Sequence, residues 1–198
     1  MPMKIAQVAP LYEAVSPTAE DAIARLIGQL TDALVDMGHD VTLFATADSL
    51  TRAQLVAVRD RGLRLDTDVS SSDTAAHLVM LDEVRRRAWQ FDVLHFHVEL
   101  LHLPMFADLA AQTLTTLHGR VDVKDLYAVY NTWPNFPLVS MTDEQRNALP
   151  QANWVATVAQ GPARQMAANY LALYCRAKEI DRSPSAPSAG FVAHCGSH

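Results

Sequence analysis

The chain has 198 residues, 49% of them hydrophobic and 19% charged, which is enough apolar material to bury the core of one α/β domain with a short additional segment. Its 22 acidic and 16 basic residues leave a formal charge of -6, which argues against nucleic acid or an acidic membrane surface as a partner, because both select a basic face. The two cysteines, Cys175 and Cys195, form neither a disulfide framework nor a zinc pattern and fit a reducing, cytoplasmic setting. The opening MPMKIAQVAP is too short an apolar run for a signal peptide, and no stretch approaches the roughly 18 apolar residues of a transmembrane segment.

In chain order, Lys4 to Ala9 predicts a buried strand that Pro10 ends. From Thr18 to Met37, Ile23, Leu26, Ile27, Leu30 and Leu34 recur at helical spacing. Thr18 and Asp21 have the spacing of a short-armed capping box at the start of that helix, and Gly38 stands where its end needs a positive φ. Asp40 to Ala45 is a second strand and Gln54 to Val58 a short third. The serine-rich Asp66 to Thr74 reads as a surface loop, followed by a helix from Ala75 to Gln90 that points Arg85, Arg86 and Arg87 to water. Four further strand-length runs follow: Asp92–His97, Thr113–His118, Pro137–Met141 and Trp154–Ala159. After the break at Gly161-Pro162, Met166, Tyr170, Leu171 and Tyr174 mark an amphipathic helix from Ala163 to Glu179, with both tyrosines as packing groups. The last stretch, rich in Ser, Pro and Ala, reads as a disordered tail over 181–198.

Alternation of helices with nearly continuous apolar strands predicts an α/β fold: a Rossmann-like parallel sheet with helices on both faces and the first strand near its centre. No G-x-G-x-x-G follows the first strand, which counts against a nucleotide-dependent oxidoreductase.

Candidate site residues lie where strands end, since open α/β sheets bind ligands at their carboxyl edge. His95 and His97 share one face of their strand. No partner stands at convincing zinc spacing, so no metal or cofactor is expected. His97 and Glu99 close one strand; the histidine there is either ligand-facing or structural. His118 closes another and is followed by Gly119, which permits close approach, and by Arg120, which can grip an anion. His118 is the one candidate for a catalytic role, the alternative being a packed histidine beside a turn glycine. The remaining candidates read as structural: Thr142 or Asp143 as a helix N-cap, Arg146 as a solvated charge, and His39 as a surface residue.

The blocks MKIAQVAPLYE, GHDVTLFATADS, FDVLHFHVELLHLP, TTLHGRVDVKDL and PLVSMTDEQRNALPQANWVATV resemble the N-terminal half of a family-4 glycosyltransferase, in order and spacing, from residue 3 to about 161. The resemblance implies a GT-B enzyme, a hexosyltransferase-type protein of two Rossmann-like domains facing a cleft. Such enzymes transfer a sugar from a nucleotide-sugar to an acceptor with retention and without a metal. On this resemblance 1–161 is the acceptor-side domain, the sugar-bearing substrate is contacted by His97, Glu99, His118, Gly119 and Arg120, and the segment 162–180 corresponds to the final helix that crosses back in full-length members.

Three departures accompany the likeness. The family's Gly-Gly-Thr-Glu-Arg-like turn falls on Asp21-Ala22-Ile23-Ala24-Arg25, the His-Gly at the end of the last strand is Gln160-Gly161, and the donor domain with its paired glutamates has no counterpart between Gly161 and the last helix. The expectation is therefore an acceptor-side domain that is inactive alone. The alternatives are a non-catalytic binding module, or a subunit completed by a separate donor-domain chain.

Overall fold

The structure is a computed structural model that describes residues 2–66 and 72–181. Its seven strands are β1 (Lys4–Val8), β2 (Asp40–Thr46), β3 (Gln54–Arg59), β4 (Val93–Phe96), β5 (Thr113–Leu117), β6 (Leu138–Ser140) and β7 (Trp154–Thr157). They form one sheet in the order β3-β2-β1-β4-β5-β6-β7, and each neighbouring pair is parallel. The first strand thus lies near the middle, with the chain moving outward on either side of it, and the expected Rossmann-like sheet is the observed one.

Among the described residues five α-helices serve this sheet: α1 (Ala22–Asp36), α2 (Asp73–Arg87), α3 (Lys124–Thr132), α4 (Asp143–Ala148) and α5 (Ala163–Asp181). A 3-10 segment covers Leu103–Gln112. The period-two alternation of strands divides the core into two layers. Ile5, Val93 and Leu114 face α1 and α5 and pack with Leu26, Leu30, Met166 and Tyr170. Ala6, Val8, Leu94, Phe96 and Leu117 face the opposite way, against Met80, Leu81 and Val84 of α2, Phe106 of the 3-10 segment and Tyr130 of α3.

The ends of α1 show how local chemistry set its bounds. Gly38 takes φ 85 just past the helix, as the sequence implied. The start is corrected: Asp21, not Thr18, is the N-cap, and its Oδ1 accepts from the backbone N–H of Ile23 at 3.0 Å and of Ala24 at 2.9 Å. Thr18 is held in the preceding turn, where its hydroxyl lies 3.1 Å from that of Ser16. A carboxylate placed directly at the first turn satisfies two free N–H groups at once, so a longer capping box has nothing left to cap. His39 is likewise not a free surface residue, because its Nδ1 accepts from the backbone N–H of Met3 at 3.1 Å. Arg85 also leaves the solvated face: it pairs with Asp108 at 2.6 Å and lies over the ring of Phe106.

The loop before α2 is shorter than expected, since Asp73 and Thr74 already belong to the helix and Ser72 caps it through Ala75 at 3.3 Å. Residues 67–71 of that loop and residues 182–198 of the expected tail lie outside the described residues. No helix among the described residues is long and apolar enough to cross a membrane.

Two features carry much of the packing. Gly28 sits in α1 where the loop after β1 crosses it: an added Cβ would stand 2.5 Å from the carbonyl carbon of Ser16 and 2.6 Å from the nitrogen of Pro17. Backbone cannot yield as a side-chain tip can, so Gly28→Ala is expected to cost about 1–3 kcal/mol despite alanine's better helix propensity. An unchanged or raised melting temperature would refute the close crossing. The second feature is α5, which buries Met166, Tyr170, Leu173 and Tyr174 on the sheet. At roughly 1.5–3 kcal/mol for each large side chain, these four rival the whole stability of a small domain, about 5–15 kcal/mol. A chain ending at Gly161 is expected to melt far lower or aggregate, as read by thermal denaturation and light scattering.

Candidate functional site

The carboxyl ends of β1, β4 and β5 meet at a depression of about 430 Å³ lined by Pro10, Tyr12, His77, His97, Glu99 and His118, among others. The sheet explains why. Gln7 of β1 pairs in register with His95 of β4, and β4 neighbours β5, so the residues that follow these strands emerge side by side. His97 leaves β4 with its N–H still bonded to Val8 at 3.0 Å. His118 leaves β5, and its Nε2 lies 2.8 Å from Nδ1 of His97.

Two of the expected residues are therefore in direct contact. Glu99 also lines the depression and adopts φ 55, the left-handed region, which costs a non-glycine residue energy that its surroundings must supply. Its carboxylate overhangs Gly119: a Cβ on that glycine would stand 2.5 Å from Glu99 Oε1. Partial burial raises the Glu99 carboxyl above its ordinary range. Arg120 stays outside the depression, exposed and paired with Asp122 through bonds of 2.9 and 2.7 Å.

Burial dominates the electrostatics. It holds His95 and His97 well below the usual imidazole range, lowers His118 to about 4 and His102 to about 3. All four rings are neutral at physiological pH. His102 belongs to the core: it stacks on Phe96 with ring centroids 4.1 Å apart, and its Nε2 lies 2.8 Å from Thr115 Oγ1. Among the described residues no group of three or more His, Cys, Asp or Glu side chains could hold a metal ion.

Several residues that shape the site carried no functional reading in the sequence. His77 accepts the N–H of Leu11 at 3.0 Å through Nε2 and so fixes the loop after β1. Gln145 donates to the carbonyls of Leu117 at 3.1 Å and Gly119 at 2.9 Å, clamping the turn that carries His118. Its Oε1 also accepts the N–H of Met141 at 2.7 Å and, more weakly, that of Thr142 at 3.4 Å, so Thr142 is the N-cap of α4 within a capping box. Ser140, Asp143 and Arg146 gather around the hydroxyl of Thr157, at 2.9, 3.1 and 3.4 Å. Gln7 accepts from His97 at 2.9 Å. The signal for Gln7 was present, an amide inside the apolar run KIAQV, because a buried amide requires partners.

The N-terminus of α1 borders the same edge of the sheet. Asp21 occupies it, capping the helix and pairing with Arg64 at 3.3 Å, and those bonds lower its carboxyl pKa, the Ala24 N–H bond most of all. Arg25 turns back to donate to the carbonyls of Ala19 at 2.6 Å and Glu20 at 2.9 Å.

The chain matches the sequence profile of Glycosyltransferase Family 4 over residues 23–172. Among solved structures, it is similar to a chain of the sucrose-phosphate synthase of Thermosynechococcus elongatus designated 27_220_406_426, with a TM-score of 0.56 and 13% identity, over 87% of this chain and 98% of that one. A second structure of that synthase gives a TM-score of 0.56 at 13% identity, over 80% of this chain and 48% of the other. A glycosyltransferase from Rickettsia africae ESF-5 gives 0.50 at 12% identity, over 81% and 43%. The chain thus spans about half or less of these last two proteins, and at such identities the likeness is one of fold. No match is found among curated proteins.

The buried neutral histidines make the domain acid-sensitive. Their folded pKa values lie below the unfolded value near 6.5, so their contribution is complete above that pH and is lost as pH falls. Each adds a slope of up to about 1.4 kcal/mol per pH unit. His95, His97 and His102 together give about 4 kcal/mol per unit below pH ~6. Melting temperatures measured across pH 7 to ~4 are expected to fall steeply; a flat profile would contradict neutral burial.

Proposed function

We propose, since the chain belongs to glycosyltransferase family 4, that it is the acceptor-side half of a two-domain sugar-transfer architecture, closed by its own final helix. The carboxyl-edge depression receives a sugar-bearing substrate. The observation that carries this reading is the hydrogen-bonded pair His97–His118, 2.8 Å apart at the ends of adjacent strands and facing that depression. Glu99, whose carboxylate overhangs Gly119, completes the lining on one side.

The division of the chain into a domain over 1–161, a closing helix over 162–180 and a tail beyond is part of the same proposal. Its support is the short path from Thr157, where β7 ends, to Ala163, where α5 begins, and the way α5 lies on the same sheet. The near-complete overlap with the synthase chain designated 27_220_406_426 agrees with it.

The chain on its own holds one wall of a transfer site and does not turn over a nucleotide-sugar. Transfer requires both substrates aligned, which is worth several kcal/mol of the barrier. A helix N-terminus binds diphosphate through free N–H groups, and here Asp21 has taken the N–H groups of Ile23 and Ala24 and adds a negative charge. A donor-side domain, the nucleotide-sugar it would hold and transfer with retention follow from the family resemblance. If that domain is carried on a separate chain, it would face this same carboxyl edge.

The test is direct. Purified protein with a panel of nucleotide-sugars is expected to release no nucleotide above the buffer rate. Titration with simple glycosides, followed by NMR, is expected to move signals at the depression, an effect lost in His118→Ala. Micromolar binding and turnover of any nucleotide-sugar by the chain alone would overturn the inactive assignment, and glycosides that move no signals near His118 would overturn the site.

A further inference from the structure

Period-two alternation puts Gln7, His95, His97, Thr116 and His118 on the sheet face that α5 covers. All but the half-buried His118 are buried there, and the partners of these groups are one another and the two tyrosines of the helix. The chain of contacts is continuous. His118 Nε2 lies 2.8 Å from His97 Nδ1, and His97 Nε2 lies 2.9 Å from Gln7 Oε1. Gln7 Nε2 donates to Tyr174 OH at 3.1 Å, which lies 2.8 Å from His95 Nδ1. His95 Nε2 lies 2.8 Å from Thr116 Oγ1, and that hydroxyl lies 2.9 Å from Tyr170 OH.

The positions of the protons follow from the Gln7 amide, whose oxygen faces His97 and whose nitrogen faces Tyr174. A carbonyl oxygen only accepts, so His97 carries its proton on Nε2. Its ring is neutral, so Nδ1 must accept, and His118 therefore carries its proton on Nε2. On the other side the Gln7 amide occupies the oxygen of Tyr174, whose single proton goes to His95 Nδ1. His95 then donates through Nε2 to Thr116, and Thr116 to Tyr170. This arrangement leaves every link satisfied with all donors pointing one way. Tyr174 accepts from the Gln7 amide nitrogen, which leaves the amide oxygen turned to His97.

We propose that Gln7, His97 and Tyr174 are positioning residues that hold His118 in its Nε2–H tautomer, so that the hydrogen-bond series under α5 determines whether the free Nδ1 of His118 meets the depression as an acceptor or as a donor. The unprotonated Nδ1, which bonds to no other group in the described protein, is then an acceptor for a ligand hydroxyl. The functional use rests on the reading of the depression as a sugar site, whereas the tautomer does not.

The experiment labels the histidines of the full chain with ¹⁵N and records long-range ¹H–¹⁵N spectra at mildly alkaline pH, with His118→Gln to identify the signals of that ring. The spectra distinguish the protonated nitrogen of each ring from the bare one. The wild type is expected to show Nε2 protonated in both His97 and His118. In Tyr174→Phe the Gln7 amide loses its anchor and turns over, and both rings are expected to shift at least half their population to Nδ1–H. In Gln7→Glu the carboxylate can only accept, so His97 and His118 keep their tautomer while Tyr174 is drawn to the carboxylate and His95 moves to Nδ1–H. Tyr170→Phe, at the far end, leaves His118 unchanged. A helix that merely packs would lower the melting temperature in Tyr174→Phe without moving the ring nitrogens, and that result overturns the proposal, as does Nδ1–H on His118 in the wild type. Should Tyr174→Phe fail to fold, Gln7→Glu decides: His95 changing while His118 holds supports the assignment, and His95 unchanged overturns it. A chain that binds no glycoside but shows these spectra would lose the sugar reading and keep the tautomer control.

Discussion

A parallel sheet is covered on both faces, and whatever its strands present to the cover must be apolar or must find a partner there. On one face of this sheet the strands present an amide, three imidazoles and a threonine hydroxyl as well as aliphatic groups. An unpaired buried polar atom costs about 1–3 kcal/mol, so these side chains together would exceed what the domain can lose. Tyr170 and Tyr174, both fully buried, remove that cost. Their rings fill the layer as any large apolar residue would, and their hydroxyls reach Thr116, Gln7 and His95. The position of α5 is thereby specified to within a hydrogen-bond length, which apolar contact alone would not achieve.

The same economy holds around the depression, where loops are fixed by side chains bonding backbone. His77 reaches the loop after β1, Gln145 the turn after β5, and Asp21 the first turn of α1. Each does so from a neighbouring or the same element. The His97–His118 pair consequently sits in a frame made by the protein's own side chains. At the α1 terminus the outcome is different: the groups that would make an anion site are already spent on the protein itself.

Much of the fold was legible because its signals are local. Seven apolar runs gave seven strands, and Gly38 marked the end of α1. His97 and His118 stood out because each closes an apolar run, and parallel neighbours bring such positions together. What escaped was non-local or weak. The partner of Gln7 is Tyr174, 167 positions away, so its amide could be seen to need partners but not which ones. The tyrosines read as packing because helical spacing reports burial and says nothing of where a hydroxyl goes. The 3-10 segment Leu103–Gln112 and α3 follow no clean helical stripe, since one bends at Phe106 and the other buries a single residue, Tyr130. Thr18 and Asp21 matched a capping pattern, yet the turn at Ser16 and Thr18 starts the helix later, and Asp21 inherited the cap. Arg120 looked ligand-facing from its place after Gly119, but Asp122 two residues on offered a closer, bidentate partner.

The uniform direction of the hydrogen bonds between His118 and Tyr170 has an electrical consequence. When every donor in a series points the same way, the bond dipoles add, and each link polarises the next, strengthening it by roughly 10–30%. The negative end of the series lies at the bare nitrogen of His118 and the positive end at the hydroxyl of Tyr170, deep under α5. The bare nitrogen of the imidazole at the depression is therefore a stronger hydrogen-bond acceptor than that of a neutral ring outside such a series, and its electron density is set partly by a helix that does not line the depression.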